Sequence, residues 1–379
     1  MRPGTWHDAA YFETPDDRIA SCWYDPGRGW EKLVTWPLDR IFRRGFEGRN
    51  LVHRMWMILR AVRRMDPDVI ICSDGFTFAL PASFLRQLRL LEVPVVSSYI
   101  GGDILDCPHA EIGRSRKGMT GWLITRSYKG IQVLRPVSPM LQDLLIGDGV
   151  EPSRTRVCPS HLVASAETTG LILARRKDVR RQIRDLHKIP ESAPLIVTLS
   201  ANILGKGIHV LARAWPEVVR NFPDARWLLC GPENSWFLTE VLPILQAEGV
   251  SSTVVRTGPL SGTSVFEHLA SADLHVNPSL CEGLNMVTVE AGAVGTPTVT
   301  TSGAGIASWV ERFNAGLVVP PGEVGALADA IMTMLSEPRC MSECSAAAIR
   351  MSGEFSPDLV ARELLDILQS AIKQSTPAR

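Results

Sequence analysis

Pro278-Ser-Leu-Cys-Glu-Gly-Leu-Asn-Met-Val-Thr-Val-Glu-Ala-Gly-Ala-Val-Gly-Thr-Pro297 follows a run, Ala272–Asn277, that reads as a strand. Glu282-Gly283 reads as a turn, Leu284–Ala293 as a helix, and Gly295-Thr296-Pro297 as its stop. Strand, glycine turn and helix start together expose unpaired N–H groups and a positive dipole end, an arrangement that suits a diphosphate. Glu282 and Glu290 flank that anion site. Eight residues of helix would separate them by roughly 12 Å along the axis. One carboxylate could then hold sugar hydroxyls and the other ribose hydroxyls.

Outward from this segment, short apolar runs alternate with helical patterns. Asp68–Cys72, Val93–Ser97 and Ile131–Leu134 read as buried strands of the first half. Leu195–Leu199, Ala225–Cys230, Leu274–Val276, Thr298–Thr300 and Leu317–Val319 do so in the second. Thr77–Leu90, His209–Asn221, Ser264–Ala270 and Val324–Leu335 carry apolar residues at helical spacing. The alternation predicts an α/β protein of two doubly wound parallel-sheet domains, with ligands in the loops after strands. The expected bounds are 1–170, 171–355 and a closing segment 356–379 whose helix, Pro357–Ser370, crosses back to the first domain. The join falls near Ala164–Ile189, where Arg175–Arg184 reads as a charged helix facing water beside a hinge.

Composition bounds the function. The 379 residues hold 40 Lys+Arg and 40 Asp+Glu. Residues 1–200 carry 29 basic and 22 acidic side chains, the remainder 11 and 18. A whole-chain nucleic-acid binder would be basic throughout, so no nucleic-acid partner is expected. The longest stretch without an ionisable side chain, Ala291–Val310, holds four Gly, four Thr, two Ser and a Pro, which does not suit a membrane span. The first residues show no apolar signal core, so a cytoplasmic location is expected. Eight scattered cysteines, Cys22, Cys72, Cys107, Cys158, Cys230, Cys281, Cys340 and Cys344, read as free thiols in a reducing compartment. The dispersed histidines give no support for a metal site. Asp66-Pro67-Asp68 reads as strand-entry chemistry rather than a metal motif.

The quoted run resembles the retaining, nucleotide-sugar-dependent glycosyltransferases of family 4. Glu282 and Glu290 match that family's Glu-x7-Glu motif, set within Pro-Ser-x-x-Glu-Gly and Glu-Ala-x-Ala-x-Gly-x-Pro. Gly205-Lys206-Gly207-Ile208 is similar to its Lys-Gly phosphate loop, and Leu228–Pro232 and Thr257–Leu260 to loops that shape its base pocket. Pro67–Ile70, Pro94–Ser97, Gly101-Gly-Asp103 and Pro136–Ser138 fall in the family's order. The resemblance implies the GT-B fold and a nucleotide diphosphate sugar as donor. It implies a carbohydrate or lipid-linked acceptor and attack on the same face as the leaving group, without a metal cofactor. It also implies roles for residues. Lys206 and the amides of Gly283, Leu284, Asn285 and Met286 would stabilise the diphosphate. Gly207 and Gly231 would line the donor site, Glu282 would position the sugar, and Glu290 the ribose. Asp103 either orients the acceptor hydroxyl or caps a turn.

The sequence departs from the family at three places. Ser200-Ala201-Asn202 stands where an Arg is usual, Ile100 where a His is usual, and Pro26–Trp30 is the only candidate for an N-terminal glycine-rich loop. Arg40, Arg43, Arg44, Arg49, Arg54, Arg60, Arg63 and Arg64 crowd Leu38–Met65, with Leu51, Met55, Ile58, Leu59 and Val62 on one helical face. Arg114, Arg116, Lys117, Arg126 and Lys129 surround Trp122. Both groups suit either an ordinary core-facing helix with a solvated basic side or contact with an anionic membrane, peripheral on its inner face. A non-catalytic nucleotide-sugar-binding protein and a GT-B nucleotide-sugar epimerase are the rival readings.

Overall fold

The structure is a computed structural model that describes residues 51–107, 112–113 and 118–375. Pro26–Trp30, Arg40–Arg49, Arg114, Arg116 and Lys117 lie outside the described residues.

The first sheet is parallel, with β1 (Ile70–Cys72), β2 (Val95–Tyr99) and β5 (Val133–Pro136) in the order β1-β2-β5 among the described residues. Between them, β3 (Asp106–Cys107) and β4 (Ile112–Gly113) form a small antiparallel hairpin. Every residue of β2 is buried, as a central parallel strand covered on both faces requires. Its alternation divides the two faces. Val95 and Tyr99 join the main core, while Val96 packs with Val133, Cys158, Val360, Ile367 and Ala371. The last three belong to the closing helix, Pro357–Ser375, which lies on the first sheet.

The helix Leu51–Met65 turns Leu51 into the core, with Met55, Ile58, Leu59 and Val62 packed against it. Its apolar stripe is therefore spent on protein, not on lipid. Arg60 and Arg63 are exposed, and the Arg60 guanidinium lies 5.3 Å from the Trp56 ring centroid. Asp66 closes this helix, its N–H donating to Val62 O at 2.9 Å.

The second sheet has six parallel strands, β6 (Leu195–Leu199), β7 (Arg226–Cys230), β8 (Val254–Gly258), β9 (Leu274–Asn277), β10 (Thr298–Thr301) and β11 (Gly316–Val319). Their order is β11-β10-β9-β6-β7-β8. The chain builds outward from β6 in one direction, then restarts at β9 and builds in the other. The β6/β9 junction is the topological switch point, where α/β sheets open a crevice. Trp215 and Trp227 fill one side of the sheet, fully buried. Their ring N–H groups donate to Thr253 Oγ1 at 2.8 Å and Thr198 Oγ1 at 3.2 Å.

The charged segment at the join corrects the sequence reading. Arg176, Arg180 and Arg184 share one face of the helix Arg176–Leu186, and that face is docked rather than solvated. Arg176 donates to Ala270 O (3.0 Å), Ala272 O (3.1 Å), Gly295 O (2.7 Å) and Thr296 Oγ1 (3.2 Å). Arg180 donates to Ser271 O at 3.1 Å and pairs with Asp273 at 2.8 Å. Arg184, fully buried, reaches Asp273 Oδ2 (3.1 Å), Pro190 O (2.7 Å) and Ala193 O (2.8 Å). Three guanidinium groups thus satisfy the carbonyl end of the helix Thr263–Ser271 and the entry to β9, a basic complement to a negative dipole end. The helix Ala166–Ala174 also packs on Thr263–Ser271. The chain returns at the far end, where Leu162 N–H donates to Phe355 O at 2.8 Å.

The cysteine reading is corrected as well. Cys107 and Cys281 form a disulfide between the first-domain hairpin and the loop after β9. The other described cysteines, Cys72, Cys158, Cys230, Cys340 and Cys344, are free.

Candidate active site

At the switch point, the loop after β6 meets the loop after β9. A helical turn, Leu204–Lys206, ends at Gly207 with φ 65°, a left-handed backbone that favours glycine. A Cβ on Gly207 would run into the Pro278 carbonyl oxygen, so only glycine lets the loops lie this close. Leu280 N–H donates to Gly205 O at 2.9 Å and ties them together.

This contact brings Lys206 onto Glu282: Lys206 Nζ is paired with Glu282 Oε1. The other oxygen, Oε2, accepts from Ser279 Oγ at 2.8 Å and from Asn285 Nδ2 at 2.8 Å. Asn285 holds φ 85° and caps the following helix, Met286–Ala293. Its Oδ1 accepts from Thr288 N at 2.8 Å and Thr288 Oγ1 at 2.8 Å. One amide side chain therefore links the carboxylate to the helix start. That helix begins two residues later than the sequence suggested, and Glu282 lies outside it. Only Met286 to Glu290 is helical between the two carboxylates, about 6 Å of rise, so they are not joined by the eight residues of continuous helix that the sequence suggests.

The amides of Gly283, Leu284, Asn285 and Met286 meet no protein acceptor among the described residues. Leu284 gives its carbonyl to Ile306 N at 2.8 Å, and Met286 packs partly buried on the core. Gly283 is the meeting point of the domains. A Cβ there would strike the Ile100 carbonyl oxygen, and Ser138 Oγ donates to Gly283 O at 2.7 Å. Glu290 is half-buried and has no hydrogen-bond or ionic partner among the described residues. Burial alone pushes its carboxyl up to about 7.

Gly231 follows β7 and lies beside Ser200 and Asn202. Asn202 Nδ2 donates to Pro232 O at 2.9 Å, and Asn234 Nδ2 returns to Asn202 O at 2.9 Å. Where the family carries a cation, two asparagines knit the loops instead.

Asp103 takes the turn-capping position that is one of its two sequence readings. It is 5% exposed. Its oxygens accept from Gly75 N at 2.8 Å, Gly101 N at 2.9 Å and Ile100 N at 3.4 Å. Burial raises its carboxyl above the ordinary range, with those amides pulling the other way. The geometry is that of a turn cap, with the carboxylate spent on backbone. Sequence reasoning gave no role to Ser279, Ser138 or the Cys107–Cys281 bond. Ser279 and Ser138 stand there only as members of Pro-Ser-x-x-Glu and Pro136–Ser138; the disulfide depends on a partner far away in the chain.

Residues 193–337 match the family profile described as Glycosyl transferases group 1, and residues 5–161 that described as Glycosyl transferase 4-like domain. The D-inositol 3-phosphate glycosyltransferase of Corynebacterium urealyticum is 25% identical, over 82% of this chain and 85% of that protein. A GDP-mannose-dependent alpha-(1-6)-phosphatidylinositol monomannoside mannosyltransferase of Mycolicibacterium smegmatis is 30% identical, over 46% of each chain. Among solved structures, Anabaena HepE in complex with UDP has a TM-score of 0.70 at 17% identity, covering 83% of this chain and 82% of that one. The two profiles leave little of the chain outside them, the paired parallel sheets are the expected GT-B architecture, and the chain belongs to the group 1 glycosyltransferases of that fold.

Proposed function

We propose that this chain transfers a glycosyl group from a nucleotide diphosphate sugar to an acceptor hydroxyl, with retention of anomeric configuration, in glycolipid or polysaccharide synthesis. The observation that carries the reading is the Lys206–Glu282 pair at the switch point, directly before helix-start amides that have no protein acceptor among the described residues, with Glu290 unpartnered beyond them. An unpartnered, half-buried carboxyl is costly unless a ligand supplies donors, and a pair of ribose hydroxyls would do so. Lys206 would leave Glu282 Oε1 for the diphosphate as charge develops on the leaving group. Glu282, still held by Ser279 and Asn285, would then accept from sugar hydroxyls. Gly207 and Gly231 let the two loops approach the donor closely. The acceptor attacks from the face the diphosphate leaves, and a leaving phosphate oxygen takes its proton. The scheme routes no step through a metal ion.

Relatives named for phosphatidylinositol mannosides and inositol phosphate favour a glycolipid or small polar acceptor. No described helix is long and apolar enough to cross a membrane. Peripheral contact at an anionic surface is read here from the helix Gly118–Ser127, where Met119 and Trp122 are about 60% exposed beside Arg126.

The test is a panel of uridine and guanosine diphosphate sugars with phosphatidylinositol-based and soluble glycan acceptors. Acceptor-dependent release of nucleoside diphosphate, with product anomers that keep the donor configuration by NMR, is expected. Donor binding without turnover would favour the binding-protein reading. Donor conversion without acceptor would favour an epimerase.

A further inference from the structure

Cys107 and Cys281 lie 174 residues apart in sequence, with Cα atoms 6.6 Å apart. Cys107 belongs to the hairpin that follows the Asp103 turn; Cys281 directly precedes Glu282. The bond therefore joins opposite walls of the cleft, and glycosyl transfer uses neither sulfur. In the bonded conformation the anion site is covered. Gly283, Leu284 and Asn285 are all buried. Ile100 O and Gly101 lie against Gly283, and Ser138 holds its carbonyl. A diphosphate reaching those amides needs the two walls to part, which a covalent link at residue 281 prevents.

We infer that Cys107–Cys281 is a redox-modifiable latch that holds the cleft shut against the nucleotide, and that its reduction admits the donor. The inference rests on the donor-site reading above and adds regulation to it. Cys340 and Cys344, with Sγ atoms 4.0 Å apart, lie in one helix of the second domain and cannot link the two walls. Burial pushes the Cys72 and Cys230 thiols up to about 12, which leaves them unreactive. Cys107 is the partly exposed member of the pair; Cys281 is buried.

The chemistry is thiol–disulfide exchange. A thiolate of a dithiol reductant attacks Cys107 Sγ, the S–S bond breaks, and Cys281 leaves as a thiolate that takes a proton. The second thiol of the reductant then attacks the mixed disulfide. It expels Cys107 and leaves as the oxidised reductant, so two electrons move to the protein. A low-molecular-weight disulfide reverses the sequence by accepting those electrons.

The test uses the full chain equilibrated with dithiothreitol or with oxidised glutathione, the thiols counted by alkylation and intact mass. Uridine diphosphate and guanosine diphosphate binding are then measured by calorimetry. The oxidised chain is expected to bind at least about tenfold more weakly than the reduced one, with full recovery on reduction. Cys107→Ser and Cys281→Ser should bind equally in both conditions; either suffices if the other folds poorly. Equal affinity of the oxidised and reduced wild type, with mass confirming the two states, would overturn the latch and leave the donor site standing. Failure of the pair to form under oxidised glutathione would overturn it too. Absence of nucleotide binding in every state and variant would instead refute the donor site, and the latch with it.

Discussion

Glu282 and Asp103 are both carboxylates placed just beyond the carboxyl ends of parallel strands, one in each domain, facing the same cleft. Their surroundings differ in kind. Glu282 is held by side chains, namely Lys206, Ser279 and Asn285. Asp103 is held by the backbone amides of Gly75, Gly101 and Ile100. Side-chain partners can be exchanged for a ligand at little conformational cost. Amides fixed in a turn are not so readily exchanged, and their carboxylate maintains the loop. The lesson is that a charged residue at the right place in an α/β sheet is a site only if its partners are free to change.

The sharpest way to break this comparison is Lys206→Ala. Loss of the leaving-group cation should lower transfer by about 10²–10³-fold in kcat, while stability falls by only about 1–2 kcal/mol, because Glu282 keeps its hydrogen bonds from Ser279 and Asn285. Asp103→Ala should do the reverse. Three orphaned amides cost about 2–3 kcal/mol of stability, read by urea denaturation, with transfer per folded molecule within a few-fold of wild type. A collapse of kcat there, with stability intact, would return Asp103 to the catalytic set.

Glu290→Gln sharpens the comparison through pH. The folded carboxyl titrates near 7 against an ordinary 4.5. Below 4.5 both states are protonated; as pH rises through that window the unfolded chain loses a proton that the folded one retains. Stability therefore falls towards pH 7, and Gln is indifferent to the change. The variant should gain about 1–3 kcal/mol over wild type at pH 8 and nothing at pH 4, by melting. Its nucleotide affinity should lose the rise that wild type shows as pH passes 7. The smallest effect is expected for Trp122→Ala. Co-sedimentation with anionic vesicles should weaken by about 1 kcal/mol or less, with soluble-acceptor transfer unchanged. An unchanged vesicle affinity would leave that surface without a lipid role.

How much of this was legible depended on how local the signal was. Leu195–Leu199 and Thr298–Thr301 are apolar or β-branched runs buried on both faces, and sequence places them to within a residue. Val254–Gly258 escaped because it is an edge strand, with an exposed Arg256 where a central strand would be apolar. The Glu282–Glu290 segment was readable because its strand, turn and helix are contiguous. The helix start was misjudged because Asn285 caps from a left-handed backbone that no pattern of polarity reveals. The Arg176, Arg180, Arg184 face was misread from composition, which treats charge runs as solvated. Its spacing of four is the clue that these side chains share one face of the helix. Cys107 and Cys281 could not be paired from sequence at all, because nothing local connects residues 174 apart.

The docking of those three arginines bears on how the molecule moves. With the helix Arg176–Leu186 bolted to the second domain, no bending is available along it. Among the described residues the backbone crosses between domains at two places, near Leu162 and near Phe355, and these are hydrogen-bonded to each other. Two crossings side by side behave as a single pin. Once the Cys107–Cys281 bond is open, a swing about that pin is the motion the two crossings leave to the domains. A small rotation there becomes its largest displacement at the far rim, where Gly101 faces Gly283, as a door moves most at the edge away from its hinge.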